Sequence, residues 1–170
     1  YQNDVTLHAN GSATGAGLVN IVNGTGTLEL SDTVAQVVDL WLTDSQLTLL
    51  DVSSTRTVTF APGAVAQLTL NNPGDVAAGM RIGYIVSRAD QHGNAVTFGA
   101  TTVTLSSSSD GANKKFYDAG SGGSEITAIV VPNGSSSVGF WAYDEKAGDW
   151  FISAGAAGVP NASDPITVQP

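Results

Sequence analysis

Apolar and polar residues alternate in short runs along the whole chain. Val5, Leu7 and Ala9 fall on one side of an extended backbone with Thr6 and His8 on the other, and Val58 and Phe60 oppose Thr57 and Thr59 in the same way. A period of two is the mark of a strand with one buried and one wet face. Runs of this kind predict strands at 4–9, 17–23, 25–30, 37–43, 47–52, 56–61, 65–71 and 81–87, then at 95–98, 101–106, 125–131, 137–143, 149–153 and 165–168. Their spacing suits a sandwich or barrel. Between them, Pro62-Gly63, Asn72-Pro73-Gly74, His92-Gly93-Asn94 and Pro132-Asn133-Gly134 supply the fixed and the positive φ that chain reversals require. Only 32–42 has a helical alternative, with Val34, Val37, Val38 and Trp41 on one face and Asp32 as its cap. The stronger reading is a hairpin, in which 40–43 runs through Asp44-Ser45-Gln46 into 47–50.

The expected fold class is all-β, an antiparallel β-sandwich or jelly-roll-like domain with extended terminal strands. Its main body is placed at 33–153. Residues 1–32 are read as N-terminal strands or an arm engaged between subunits, and 154–170 as an extended C-terminal arm carrying Pro160, Pro165 and Pro170. Extended arms of this type find backbone partners on neighbouring subunits. The expected partner is therefore the chain itself, as a homo-oligomer and specifically a trimer.

Charge narrows the remaining partners. The 170 residues carry 6 basic and 15 acidic side chains, for a net charge of −9 and a pI near 4.2. A nucleic-acid partner needs clustered Lys and Arg and is excluded on that ground. No apolar run approaches the roughly 18 residues of a membrane span, so membrane insertion is not expected. Cys is absent, which removes disulfides and thiol chemistry.

Candidate chemistry is sparse. His8 and His92 are the only imidazoles, and no Gly-x-Ser-x-Gly nucleophile elbow occurs. The chain is read as non-enzymatic and without a cofactor. Asp90 with Asn94, and Asp144 with Asp149, are the weak calcium candidates, but neither set has the spaced acidic loop of an EF-hand, and structural turns with no metal are the preferred reading. Trp41, Trp141, Tyr143 and Trp150 form the candidate binding set, for an interface or for stacking on a glycan. Alternation also sends some of them into a core whatever the function.

The second half carries a resemblance. Val138-Gly-Phe-Trp-Ala-Tyr143, the turn at 144–148 and Asp149-Trp-Phe-Ile-Ser153 resemble a closing hairpin of bacteriophage virion β-domains, and the runs at 56–63, 67–74 and 94–99 are similar in style. Together they span about 55–153. The resemblance implies a virion structural protein, a capsid decoration, cement or head-fibre protein at the virion surface that binds the major capsid protein or another virion protein and reinforces the shell. A tail-fibre or spike module recognising a host surface glycan is the first alternative. The second is a secreted, pilin-like filament subunit assembled by strand exchange.

Overall fold

The computed structural model describes residues 5–71 and 73–170. The predicted strand start at Asp4, and Asn72 of the Asn-Pro-Gly turn, lie outside the described residues. The strands are Val5–Ala9 (β1), Gly17–Val19 (β2), Gln36–Thr43 (β3), Thr55–Phe60 (β4), Gln67–Leu70 (β5), Val76–Ala77 (β6) and Arg81–Ala89 (β7). Thr101–Ser107 (β8), Lys115–Tyr117 (β9), Glu125–Ile126 (β10), Ala128–Val131 (β11), Ser137–Tyr143 (β12), Gly148–Ala156 (β13) and Val159–Gln169 (β14) follow. Among the described residues there is no helix, and the fold is all-β as the alternation requires. The chain divides into two compact units, Tyr1–Pro62 and Gly63–Pro170.

The C-terminal unit is a β-sandwich. One sheet has the order β10-β9-β12-β7-β5 and the other β11-β8-β13-β14-β6, antiparallel throughout except where β14 meets β6. Inward residues of both sheets build the core, among them Tyr84, Val86, Phe116 and Phe140 from the first and Val103, Ile152, Ala154 and Ile166 from the second. Tyr84 stacks on Phe140 at 5.5 Å between centroids, and Phe116 meets Phe140 edge-on at 5.9 Å. Such pairs add to the area they bury.

The N-terminal unit is a single sheet of order β2-β1-β3-β4. The pairs Leu7↔Leu42, Ala9↔Leu40 and Leu40↔Arg56 place these residues on one face, while His8↔Trp41 lies on the other. Among the described residues, the apolar side chains buried there are Val5, Val19 and Val38.

Several expectations are revised. Residues 47–52 form no strand: the Asp44 carboxylate accepts N–H bonds from Thr48 and Leu49, both at 2.8 Å, and Leu47 and Leu49 take φ of 56° and 64°. β3 consequently pairs with β4, not with the leucine run. Residues 36–43 are strand, with Asp32 accepting the Val34 N–H at 2.9 Å just before it. The segments 25–30 and 95–98 contribute only isolated bridges, at Thr25 and Ala95. The C-terminal segment is an eleven-residue strand paired along β13 within its own sheet. Pro160 and Pro165 are tolerated because β6 reaches β14 only at Val168 and Gln169, so the other edge at both prolines needs no donor.

Candidate interaction surfaces

The four aromatic candidates fall in three places. Trp150 points into the sandwich beside the core, its indole N–H donating to the Lys146 carbonyl at 3.1 Å. Trp141 and Tyr143 share the outer face of the first sheet with Tyr117, which the register sets opposite Trp141. Trp41 lies in the N-terminal unit, stacked on His8 at 5.3 Å with 11° between planes, and the His8 Nε2 meets Thr43 Oγ1 at 2.8 Å.

The outer face of the first sheet is held together by Arg81, which the sequence reading missed. Its guanidinium lies 3.3 Å over the Tyr117 ring, and Nη1 donates to the carbonyls of Ala119 and Gly122 at 2.7 and 2.6 Å. Arg81 thereby pins the Gly-rich loop 118–124 over the sheet. Gly83 and Gly120 both lie against the five-membered ring of Trp141, where an added Cβ would come within 3.2 and 2.9 Å of its Nε1. Tyr143 donates to Glu145 at 2.7 Å, and Asn113 donates to the same carboxylate at 2.6 Å. The Tyr143 bond first, then that from Asn113, draws the Glu145 carboxyl below its usual range, and the same contact with Glu145 raises the Tyr143 hydroxyl. Arg81 on Tyr117 and Gly120 on Trp141 thus pack the loop against this aromatic face.

The acidic turns are likewise occupied. Asp90, almost wholly buried, accepts the N–H groups of Gly63, His92 and Asn94 at 2.8, 2.8 and 2.9 Å and the Asn94 side-chain amide at 2.9 Å. The Asn94 amide first, then the backbone donors, hold its carboxyl far below the ordinary range against the opposing effect of burial. Asp144 accepts the Lys146 N–H at 2.9 Å, and Asp149 accepts the Thr167 hydroxyl at 2.8 Å. Among the described residues no cluster of three or more His, Cys, Asp or Glu side chains forms.

Inside the sandwich, two polar features stand out. Arg88 is 2% exposed and donates to Thr101 Oγ1, Gly99 O, Pro132 O and Ser135 O at 2.6, 2.8, 3.2 and 2.9 Å, binding the loops at one end of both sheets. Tyr84 and Asp164 approach across the core without closing a hydrogen bond of ordinary geometry. Burial raises Asp164 above the carboxylate range, partly offset by the Tyr84 hydroxyl, and burial followed by the Asp164 charge raises Tyr84.

The surface that no local packing explains is in the N-terminal unit. Leu47 is 86% and Leu49 94% exposed, both in the left-handed backbone region that costs a side-chain-bearing residue on the order of 1–2 kcal/mol. Next to this loop, Leu7, Leu40 and Leu42 floor a shallow groove of about 200 Å³ edged by Ser54 and Arg56. Arg56 bonds only to the Thr55 carbonyl, at 2.9 Å, and meets no carboxylate among the described residues.

No protein-family model matches the chain, and no curated protein does. Solved structures do match. A glycosyl hydrolase family 2 member from Bacteroides cellulosilyticus aligns over 99% of this chain and 22% of its own, at 15% identity and a TM-score of 0.52. A β-glycosidase from Bacteroides vulgatus aligns over 98% of this chain and 21% of its own, at 14% and 0.51. Domains 4 and 5 of the S-layer protein SbsC align over 80% of this chain and 66% of theirs, at 16% and 0.47. The chain spans about a fifth of the length of the glycosidases. At such identities the likeness is one of fold, and the class it defines is the β-sandwich.

The bacteriophage resemblance is overturned. The glycosidases with which it shares a fold are not virion proteins, and with the resemblance go the capsid-decoration, head-fibre and tail-fibre roles and the virion location. The physical reason lies in the motif that carried it. Residues 138–143 and 149–153 are no hairpin: β12 pairs with β7 and β9 in one sheet, β13 with β8 and β14 in the other. The Tyr-turn-Trp pattern is a crossing between layers that any sandwich can use.

Proposed function

We propose that the chain is a non-catalytic assembly module that works as a homo-oligomer. In this reading Gly63–Pro170 is a sandwich folded on its own core, and Tyr1–Pro62 is a sheet whose apolar surface is covered by further copies. The leucines carry the proposal. Nine of the twelve lie at or before position 50, and none of those nine is buried, whereas Leu68 and Leu105 are buried in the sandwich. Five of the nine, Leu18, Leu28, Leu47, Leu49 and Leu50, are exposed, and each forgoes about 1.5–3 kcal/mol of transfer free energy, which a unit of this size has little means to replace.

A second copy suits the vacancy better than an unrelated protein. The cover is needed as the sheet folds, and the chain itself is then present at its own concentration. Permanent homo-oligomeric interfaces are also the more apolar kind. The non-catalytic reading is supported by the structural work of four ionisable groups: His8 stacks on Trp41, Asp90 clasps a turn, and Arg81 and Arg88 hold loops. An extracellular setting belongs to the same proposal and fits a chain with no Cys and one Met.

Sedimentation velocity over a hundredfold range of concentration tests it. A discrete oligomer that dissociates on dilution is expected. A monomer throughout would overturn the proposal.

A further inference from the structure

We infer that the copies meet through the leucine loop: the exposed Leu47–Leu50 segment of one chain seats in the Leu7–Leu40–Leu42 groove of the next, and Asp51 of the incoming loop pairs with Arg56 at the groove's edge. This rests on the homo-oligomeric reading above and names its contact.

Three features point to this pairing. The loop is held in an unfavourable backbone state by Asp44, with its Leu47 and Leu49 side chains presented outward. Strain of that kind persists where the surroundings reward it: Asp44 holds the backbone, and the Leu47 and Leu49 side chains stay exposed. The groove is apolar and lies at the end of β3 from which the loop departs, so loop and groove sit together and one copy can receive from its neighbour what it also gives.

Charge then favours a copy of this chain as the occupant. Up to Pro62 the sequence has six acidic residues and a single Arg or Lys, Arg56. That lone guanidinium meets no carboxylate among the described residues of its own chain. Asp51 is exposed, accepts a hydrogen bond from the Ser53 N–H at 3.0 Å, meets no Lys or Arg among the described residues, and follows the loop's last leucine directly. A neighbour's loop therefore brings apolar side chains for the groove and a carboxylate for its edge in one segment. A pair desolvated at such a rim fixes register more than it adds affinity.

The test uses the full chain and four variants, Leu47→Asp/Leu49→Asp together, Arg56→Glu, Asp51→Arg, and Arg56→Glu/Asp51→Arg, followed by sedimentation. Near-ultraviolet circular dichroism of the sandwich aromatics confirms that each variant is folded. The leucine double variant is expected to sediment as a monomer. Each single charge reversal should weaken association at least tenfold, and the combined reversal should recover most of that loss. If the wild-type chain is oligomeric and the leucine variant remains equally so, the contact is wrong while the assembly reading stands. If the charge variants are not mutually rescuing, the Asp51–Arg56 assignment falls. A monomeric wild type that binds phosphatidylcholine vesicles through Leu47 and Leu49 would make lipid the occupant and overturn both.

Discussion

Gly63–Pro170 and Tyr1–Pro62 are made of the same material, short alternating strands rich in Val and Thr, yet they reach different ends. The first places a second sheet over each apolar face and, among the described residues, buries fourteen apolar ones; the second is one sheet that, on the same footing, buries three and leaves ten large apolar residues exposed. Alternation decides that a segment becomes a strand and which side of it is apolar. Whether that side is dried depends on a second layer, and the N-terminal unit by itself is one sheet.

The contrast can be broken by truncating matched side chains. Phe140 is fully buried between the sheets, and Phe140→Ala should destabilise the sandwich by about 3–5 kcal/mol in urea unfolding. Leu49→Ala, in the dissociated chain, should change the same transition by less than about 0.5 kcal/mol. A comparable cost at both sites would show that the two units share a core.

A somewhat smaller effect is expected at Arg88, where Met can fill the volume but cannot satisfy Gly99, Pro132 and Ser135. Arg88→Met should cost about 2–3 kcal/mol, with amide exchange accelerated in the 99–101 and 132–135 loops. Asp90→Ala should lower the thermal midpoint at pH 7. Because the folded-state carboxyl is held below its unfolded value, the stability it contributes is present above about pH 4 and is lost as pH falls, so wild type and variant should converge in acid. One further change has the opposite sign. Asp164 is raised by burial, so its penalty is absent below about pH 4 and grows as pH rises through the folded value. Asp164→Asn should therefore stabilise the sandwich by up to about 1 kcal/mol at pH 8 and not at all at pH 4, read from paired thermal scans.

The strands themselves were legible where alternation and turn chemistry agreed. Residues 37–43, 56–61, 81–87 and 137–143 lie within or beside observed strands, and the turn at 90–94 is built from the Asp, Gly and Asn that announced it. Residues 47–52 were misread because Leu-Thr-Leu alternates like a strand, while the deciding event is capture of two backbone N–H groups by Asp44, a local competition that periodicity does not register. Which sheet a strand joins is non-local, so 138–143 and 149–153 looked like a hairpin although they belong to opposite layers. Of the surfaces, the aromatic set was visible, and the structure divides it: Trp150 packs against the core, Trp141 and Tyr143 share an outer face with Tyr117, and Trp41 stays exposed beside His8. The leucine skew was equally visible in the order of residues and went unread, since composition averaged over the whole chain conceals it.

Hydrogen exchange of the intact chain at two concentrations, one above and one below dissociation, tests the claim that the N-terminal sheet takes its cover from other copies. Protection of β1, β3 and β4 should collapse on dilution while β7, β12 and β13 exchange as before. Equal protection of both units at both concentrations would contradict it.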